Sequence, residues 1–200
     1  KADKIVQEEL KNDYKKEYLK RKNNLEKIEG IKENIFSDGE FTFELKNGVV
    51  DNISKKIEKK PNIFVNKAFD KDGNLLKIAS LAKLDEGTFL YREFNTDLNL
   101  VIETYAIGEK SIQKAYYSNK KLAYTREGKL DEDYNLFTNG KYTEYYKNGQ
   151  MKVQGSYKEG KRDGEFKAFL KNGKSAGYVF YKDGKIIKST LVKAMKDNAS

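Results

Sequence analysis

The stretch Gly140-Lys141-Tyr142-Thr143-Glu144-Tyr145-Tyr146-Lys147-Asn148-Gly149 returns 24 residues later as Gly164-Glu165-Phe166-Lys167-Ala168-Phe169-Leu170-Lys171-Asn172-Gly173. The correspondence continues at the same offset through Tyr157 and Tyr181, Gly160 and Gly184, and Lys161 and Lys185. A period in the range of 20–50 residues marks a repeat architecture. Asn-Gly and Asp-Gly favour two-residue turns at positive φ, whose twist suits a β-hairpin. Asn148-Gly149, Glu159-Gly160, Asn172-Gly173 and Asp183-Gly184 stand 11 to 13 residues apart. The segments between them alternate apolar and polar side chains, as half-buried strands do. Together these features predict a meander of short antiparallel strands.

Upstream the frame persists in weaker form. Gly39-Glu40-Phe41-Thr42-Phe43-Glu44-Leu45-Lys46-Asn47-Gly48 keeps the ten-residue pattern. Asp72-Gly73 lies between Ile63–Phe69 and Leu75–Leu81, and Asn95–Asn99 between Phe89–Phe94 and Leu100–Tyr105. Tyr116 to Asn119 precedes Leu122–Tyr124. An acidic insertion, Asp131–Thr138, interrupts the period. About six hairpins are expected. The predicted fold is mainly β, a meander of stacked hairpins with an N-terminal α-helix. The predicted organisation is a helix over 1–35, degenerate hairpins over 36–139, two well-formed repeats with a final strand over 140–192, and a tail over 193–200.

The C-terminal frame resembles the bacterial MORN repeat variant, including YwqK-type antitoxin-like repeats. That pattern is roughly Gly-x-aromatic-x-x-aromatic-x-x-Asn-Gly, followed by a strand ending in Tyr-x-x-Gly-Lys. Residues 140–186 carry it well and residues 39–135 loosely, while 1–35 lie outside it. The parent motif often has His before the repeat Gly; Asn139 and Asp163 stand there in this chain. The resemblance implies a twisted antiparallel sheet, with no catalytic residue to carry over. It also implies protein binding, self-association or contact with acidic lipid.

In the N-terminal segment Val6, Leu10, Tyr14, Tyr18, Leu25 and Ile28 fall on one side of a helical wheel. This predicts one amphipathic helix over 1–34 that docks on the rest of the protein, interrupted on its apolar stripe by Glu17 and Arg21 and stopped at Gly30. A partner-binding or coiled-coil stalk is the alternative, and the broken a/d pattern counts against a long coiled coil.

The chain of 200 residues has no His and no Cys. Ser-His-Asp, Cys-His and HExxH chemistry are therefore excluded, as are thiolate metal sites. Neither a cofactor nor a metal is expected. The net charge is +9. Residues 140–200 hold 14 Lys/Arg against 6 Asp/Glu, and 1–139 are close to balanced. The chain begins at Lys1 without Met, which fits either a cleaved leader, with a secreted or envelope location in a bacterium, or a trimmed end.

Other motifs fail on their own terms. Gly155 to Lys161 matches most of a phosphate-binding loop, but Arg162 stands where Ser or Thr would hold magnesium. Asp70-x-Asp72-x-Asn74 and Asp131-x-Asp133-x-Asn135 open like calcium loops, yet lack the required Gly and Glu further on. Paired carboxylates for a hydrolase occupy no recognisable pocket motif. Two candidate binding surfaces remain. One is a basic row of Lys152, Lys158, Lys161, Arg162, Lys174, Lys182 and Lys185. The other is an aromatic face of Tyr142, Tyr145, Tyr157, Phe166, Phe169 and Tyr181. The expected function is a non-enzymatic scaffold for protein–protein interaction, including self-association. Alternatives are an antitoxin or immunity protein, an envelope protein touching anionic lipid, and, least supported, a hydrolase. An acidic protein is the expected partner; nucleic acid is the least supported, because Arg is scarce and no recognition module is present.

Overall fold

The computed structural model describes residues 3–28, 34–85, 87–132 and 135–192. Two helices, α1 (Lys4–Glu9) and α2 (Lys15–Glu26), come first. The strands are β1 (Ile35–Ser37), β2 (Phe41–Lys46), β3 (Val49–Lys60), β4 (Ile63–Asp70), β5 (Leu75–Asp85), β6 (Thr88–Phe94) and β7 (Leu100–Ile107). They continue as β8 (Lys110–Tyr116), β9 (Leu122–Leu130), β10 (Leu136–Tyr145), β11 (Met151–Lys158), β12 (Lys161–Phe169), β13 (Ser175–Lys182) and β14 (Lys185–Ser189). The strand order follows the chain from β1 to β14, an open antiparallel meander. The chain divides into two compact units: 1–84 with 90–100, and 85–89 with 101–200.

In the first unit the helices cover one face of the sheet. Strand β2 alternates, turning Phe41, Phe43 and Leu45 inward. These meet Val50 and Ile53 of β3 beneath Tyr18 and Leu25 of α2. Val6 of α1 sits in a second cluster with Val65, Ile78 and Phe94. Each such side chain removed from water contributes about 1.5–3 kcal/mol. The expected docking of the N-terminal segment is what the structure shows. Ile28 is the exception on the stripe, being exposed. Arg21 interrupts the stripe because it serves a different surface: it pairs with Glu17, Asp38 and Glu40 at 2.8–3.0 Å.

The single helix expected over 1–34 is divided. Residues 10–14 break it, and Asn12-Asp13 favour turns over helix interiors. Lys67 Nζ donates to the carbonyls of Glu9 and Asn12 at 2.7 and 2.9 Å, tying the turn that follows α1 to β4. The buried Glu9 carboxylate accepts from Tyr14 Oη at 2.6 Å and pairs with Lys59. A lysine and a glutamate far apart in sequence thus fix the break. Helix α2 ends at Glu26 with Lys27 as its cap, and the expected stop at Gly30 lies outside the described residues.

In the second unit two kinds of turn alternate along the meander. At one edge Glu159-Gly160 and Asp183-Gly184 have both residues at positive φ, 49° with 78° and 50° with 82°. Each closes a two-residue hairpin, pairing Lys158 with Lys161 and Lys182 with Lys185. At the other edge Asn148-Gly149 and Asn172-Gly173 do not form the two-residue turns expected of them. Gly149 N–H donates to Tyr146 O at 2.9 Å and Tyr146 N–H to Gln150 O at 2.8 Å. Gly173 and Leu170 repeat that pattern with Lys174. This is a three-residue loop whose last member is left-handed. Lys120, at φ 67°, takes the glycine's place in the equivalent loop of Tyr117 to Lys121.

Successive three-residue loops are tied together. Tyr117 Oη donates to Tyr145 O at 2.6 Å, and Asn119 Nδ2 to Lys147 O at 2.8 Å. One repeat on, Tyr146 Oη donates to Phe169 O and Asn148 Nδ2 to Lys171 O, both at 2.8 Å. At the opposite edge Asn139 Oδ1 accepts from Glu159 N–H at 3.0 Å. The residue before the repeat glycine therefore ties two hairpins here, a structural task. The acidic loops are also structural: Asp70 and Asp131 accept from Asn74 and Asn135 within their own turns. Asp133 lies outside the described residues.

Candidate functional site

The second unit presents one sheet face on which aromatic rings run from strand to strand. Antiparallel register puts Tyr142 opposite Arg126 and Gly155, Gly140 opposite Tyr157, and Gly164 opposite Tyr181. These side chains therefore share a face. Ring centroids follow at 6.3 Å from Tyr124 to Tyr142, 5.4 Å to Tyr157, 5.8 Å to Phe166 and 5.1 Å to Tyr181. The last three contacts are edge-to-face, the arrangement ring quadrupoles favour. Phe166 is buried and lies over Gly155, where a side chain would leave no room for it. The four tyrosines are half-buried, so the ladder is packed along its length and open along its top.

Two guanidinium groups stand within this ladder. Arg162 lies 5.6 Å from the Phe166 ring centre and 5.3 Å from that of Tyr181. Its Nε donates to Tyr157 Oη at 3.3 Å and its Nη1 to Tyr181 Oη at 2.9 Å. Arg126 lies 5.5 Å from the Tyr124 ring. Its Nε donates to Gln113 Oε1 at 2.8 Å and its Nη1 to Thr138 Oγ1 at 3.0 Å. Gln113 is itself buried and donates to the buried Thr104 hydroxyl at 3.1 Å. Burial, together with the Glu144 carboxylate that accepts its hydroxyl at 3.2 Å, pushes the Tyr142 phenol well above its ordinary pKa, so it stays neutral.

The six candidate aromatic residues separate. Tyr142, Tyr157, Phe166 and Tyr181 belong to the ladder. Tyr145 and Phe169 end their strands beside bulges, and their carbonyls receive the Tyr117 and Tyr146 hydroxyls. Tyr124 and Arg126 belong to the face and were missed. The insertion after Leu130 breaks the 24-residue register that would have aligned β9 with the later repeats.

The seven candidate basic residues do not form one row. Lys158, Lys161, Lys182 and Lys185 are exposed around the two turns at one edge, a repeat apart, as their matching positions suggested. Glu159, Asp163 and Asp183 lie among them and dilute the positive field. Lys174 stands in a loop at the opposite edge. Lys152 pairs with Glu144 at 3.3 Å. Arg162 turns onto the aromatic face. The lysines of the opposite edge, Lys120, Lys121, Lys147, Lys171 and Lys174, occupy three loops that contain no carboxylate.

The phosphate-loop resemblance at Gly155 to Lys161 dissolves into this hairpin, because its glycines serve a ring contact and a tight turn between strands. Among the described residues no cluster of three or more carboxylates has metal-binding geometry. No helix among them is long and apolar enough to cross a membrane.

Comparison with known proteins places a MORN repeat variant at residues 138–159. The match covers most of β10, the turn after it and β11, which carry Tyr142 and Tyr157. No curated protein matches the chain. Among solved structures, the crystal structure of TarM is similar over 54% of this chain and 21% of that one, at 16% identity and a TM-score of 0.33. So weak a likeness carries no argument, and this chain spans about a fifth of that protein's length. The repeat match supports a repeat-containing protein-interaction scaffold. Such repeats in general mediate protein or membrane interactions and are not enzymes.

Proposed function

We propose that the protein is a non-enzymatic scaffold that binds another protein on the aromatic face of its second unit. The observation that supports this most is the ladder Tyr124–Tyr142–Tyr157–Phe166–Tyr181. Both helices belong to the first unit, and the described residues of the second unit include no helix. Tyrosine and arginine are the residues that most often anchor protein interfaces, because they combine large apolar area with a polar end. Here the rings hold one another in place, so little side-chain freedom remains to be lost on binding. The exposed lysines at Lys158, Lys161, Lys182 and Lys185 add long-range attraction for an acidic partner. The identity of that partner decides the biological role: a toxin would make this an antitoxin or immunity protein, and a second copy would make it a self-associating scaffold.

Affinity capture from the source cell tests the reading. Tyr157→Ser, on the ladder, is expected to lose a partner that wild type retains. Tyr178→Ser, on the opposite face of β13, is expected to retain it. Equal capture by both variants, with both folded, would overturn the assignment of the face.

A further inference from the structure

Resting on the protein-binding reading above, we infer that the aromatic face selects a partner segment carrying two carboxylates on one side of an extended chain, held by Arg126 and Arg162. Both arginines share an unusual environment. Each lies against aromatic rings, and each donates from Nε and Nη1 to neutral oxygens. Neither forms an ion pair with a carboxylate among the described residues. Arg21 and Arg92, by contrast, each pair with acids.

The hydroxyl and amide acceptors orient the guanidinium without neutralising it. Its remaining N–H groups, chiefly at Nη2, keep their capacity for a carboxylate. A fork held in this way is organised for two-point recognition of a planar anion, which lysine cannot reproduce. The aromatic backing raises the strength of that contact by excluding water from one side of the guanidinium.

The spacing of the two arginines narrows the ligand. Arg126 is on β9 opposite Tyr142, and Arg162 is on β12 opposite Tyr157. Three strand steps of ~4.8 Å across the sheet, with a two-residue offset of ~6.6 Å along it between Gly155 and Tyr157, put them about 16 Å apart. An extended chain advances ~3.3 Å per residue, and residues on one side recur every second position. Two acids four positions apart span about 13 Å and point the same way, and the reach of their side chains covers the remainder. Between them, an apolar side chain would lie over Tyr142 and Tyr157.

The loop lysines at the opposite edge offer charge too, but Lys120, Lys121, Lys147, Lys171 and Lys174 sit on flexible stems at loop tips. They attract any polyanion and set no spacing. Spacing and arginine dependence therefore distinguish the two surfaces.

The test uses the full chain and fluorescein-labelled peptides holding two glutamates among apolar residues, with the glutamates moved from adjacent to about eight positions apart. Binding is read by anisotropy. The tightest binding is expected at four positions, with loss in the matching Gln peptide. Arg126→Lys and Arg162→Lys, tested separately with melting recorded, are each expected to weaken it about tenfold. Lys147→Glu with Lys171→Glu is expected to leave the spacing preference intact. Equal binding of the Gln peptide, no preference among spacings, or no binding by any peptide would overturn the inference. So would equal weakening by Lys147→Glu with Lys171→Glu, or binding of phosphatidylserine vesicles with the same arginine dependence, which would make the ligand a lipid surface. If the peptides fail while Tyr157→Ser still abolishes partner capture, the face stands and only the two-carboxylate assignment falls.

Discussion

Gly155→Ala probes the ladder at the point where it is packed most tightly. Gly155 has no unusual backbone conformation, so alanine is allowed by φ and ψ. The added Cβ would nevertheless stand 2.5–2.6 Å from three atoms of the Phe166 ring. Phe166 is 4% exposed and edge-on to Tyr157 and Tyr181 at 5.8 and 5.1 Å, so its ring has little room to retreat. Overpacking of this kind costs about 1–3 kcal/mol. In a chain of this size each kcal/mol lowers the melting temperature by about 2–4 °C. Melting and near-ultraviolet circular dichroism of the purified variant measure the stability and the ring order. The expected result is a lower midpoint with a weakened aromatic signal. Phe166→Leu relieves the clash, so its cost is expected to be smaller in the Gly155→Ala background than in wild type, a coupling of about 1 kcal/mol. A Gly155→Ala protein that melts with wild type and keeps the same aromatic spectrum would refute the ring-over-glycine packing.

Removal of residues 1–28 is expected to uncover Phe41, Phe43, Val50, Val65 and Ile78 and to cause aggregation; light scattering checks this, and a soluble truncated protein with unchanged melting would make the helices dispensable. Stability should fall at both extremes of pH. Burial opposes the charges of Glu9 and Asp38, but the partners outweigh it: Lys59, Tyr14 and Lys67 for Glu9, and the Phe41 amide and Arg21 for Asp38. Both carboxyls are held below their ordinary range, so their contribution is present above about pH 4 and is lost as pH falls below it. Burial pushes the Tyr14 and Tyr18 phenols up to about 12, so their contribution is full below about pH 10 and lost between about 10 and 12. Urea titrations across that range would show a flat plateau between these limits; a maximum outside it would contradict the assignment. Lys161→Glu with Lys185→Glu is expected to slow association with an acidic partner at low salt while leaving melting unchanged, since exposed charges contribute little to stability. Equal association rates would remove that edge from the binding account.

The meander was legible because its signals are local. Glycine after Asn, Asp or Glu, and aromatic alternation at a fixed offset, report the turns and faces of strands β10 to β14 directly. Three features were not local. The turn at Pro61-Asn62 follows a charged run, Lys55 to Lys60, in which alternation is hidden. The length of the Asn-Gly loops depends on which carbonyl Tyr146 and Leu170 meet across the hairpin, which the dipeptide does not specify. The helix break depends on Lys67 and Lys59, over forty residues from Glu9. The candidate site shows the same division. Tyr142, Tyr157, Phe166 and Tyr181 follow the repeat and were found by it. Arg126 and Tyr124 precede the insertion and fall out of register, and Arg162 reads as one more surface cation until its ring contacts are seen.

The most direct test of the binding face is a photo-crosslink from within it. A benzophenone-bearing phenylalanine is placed at Tyr157 in one protein and at Tyr178 in another, and each is irradiated in the source cell. Tyr157 stands in the ladder and Tyr178 pairs with Phe180 on the opposite face. The expected result is a discrete protein adduct from position 157, absent from position 178 and lost when Tyr142→Ser is added. An adduct of equal yield from position 178, or one from 157 that survives Tyr142→Ser unchanged, would contradict the assignment of the aromatic face as the binding surface.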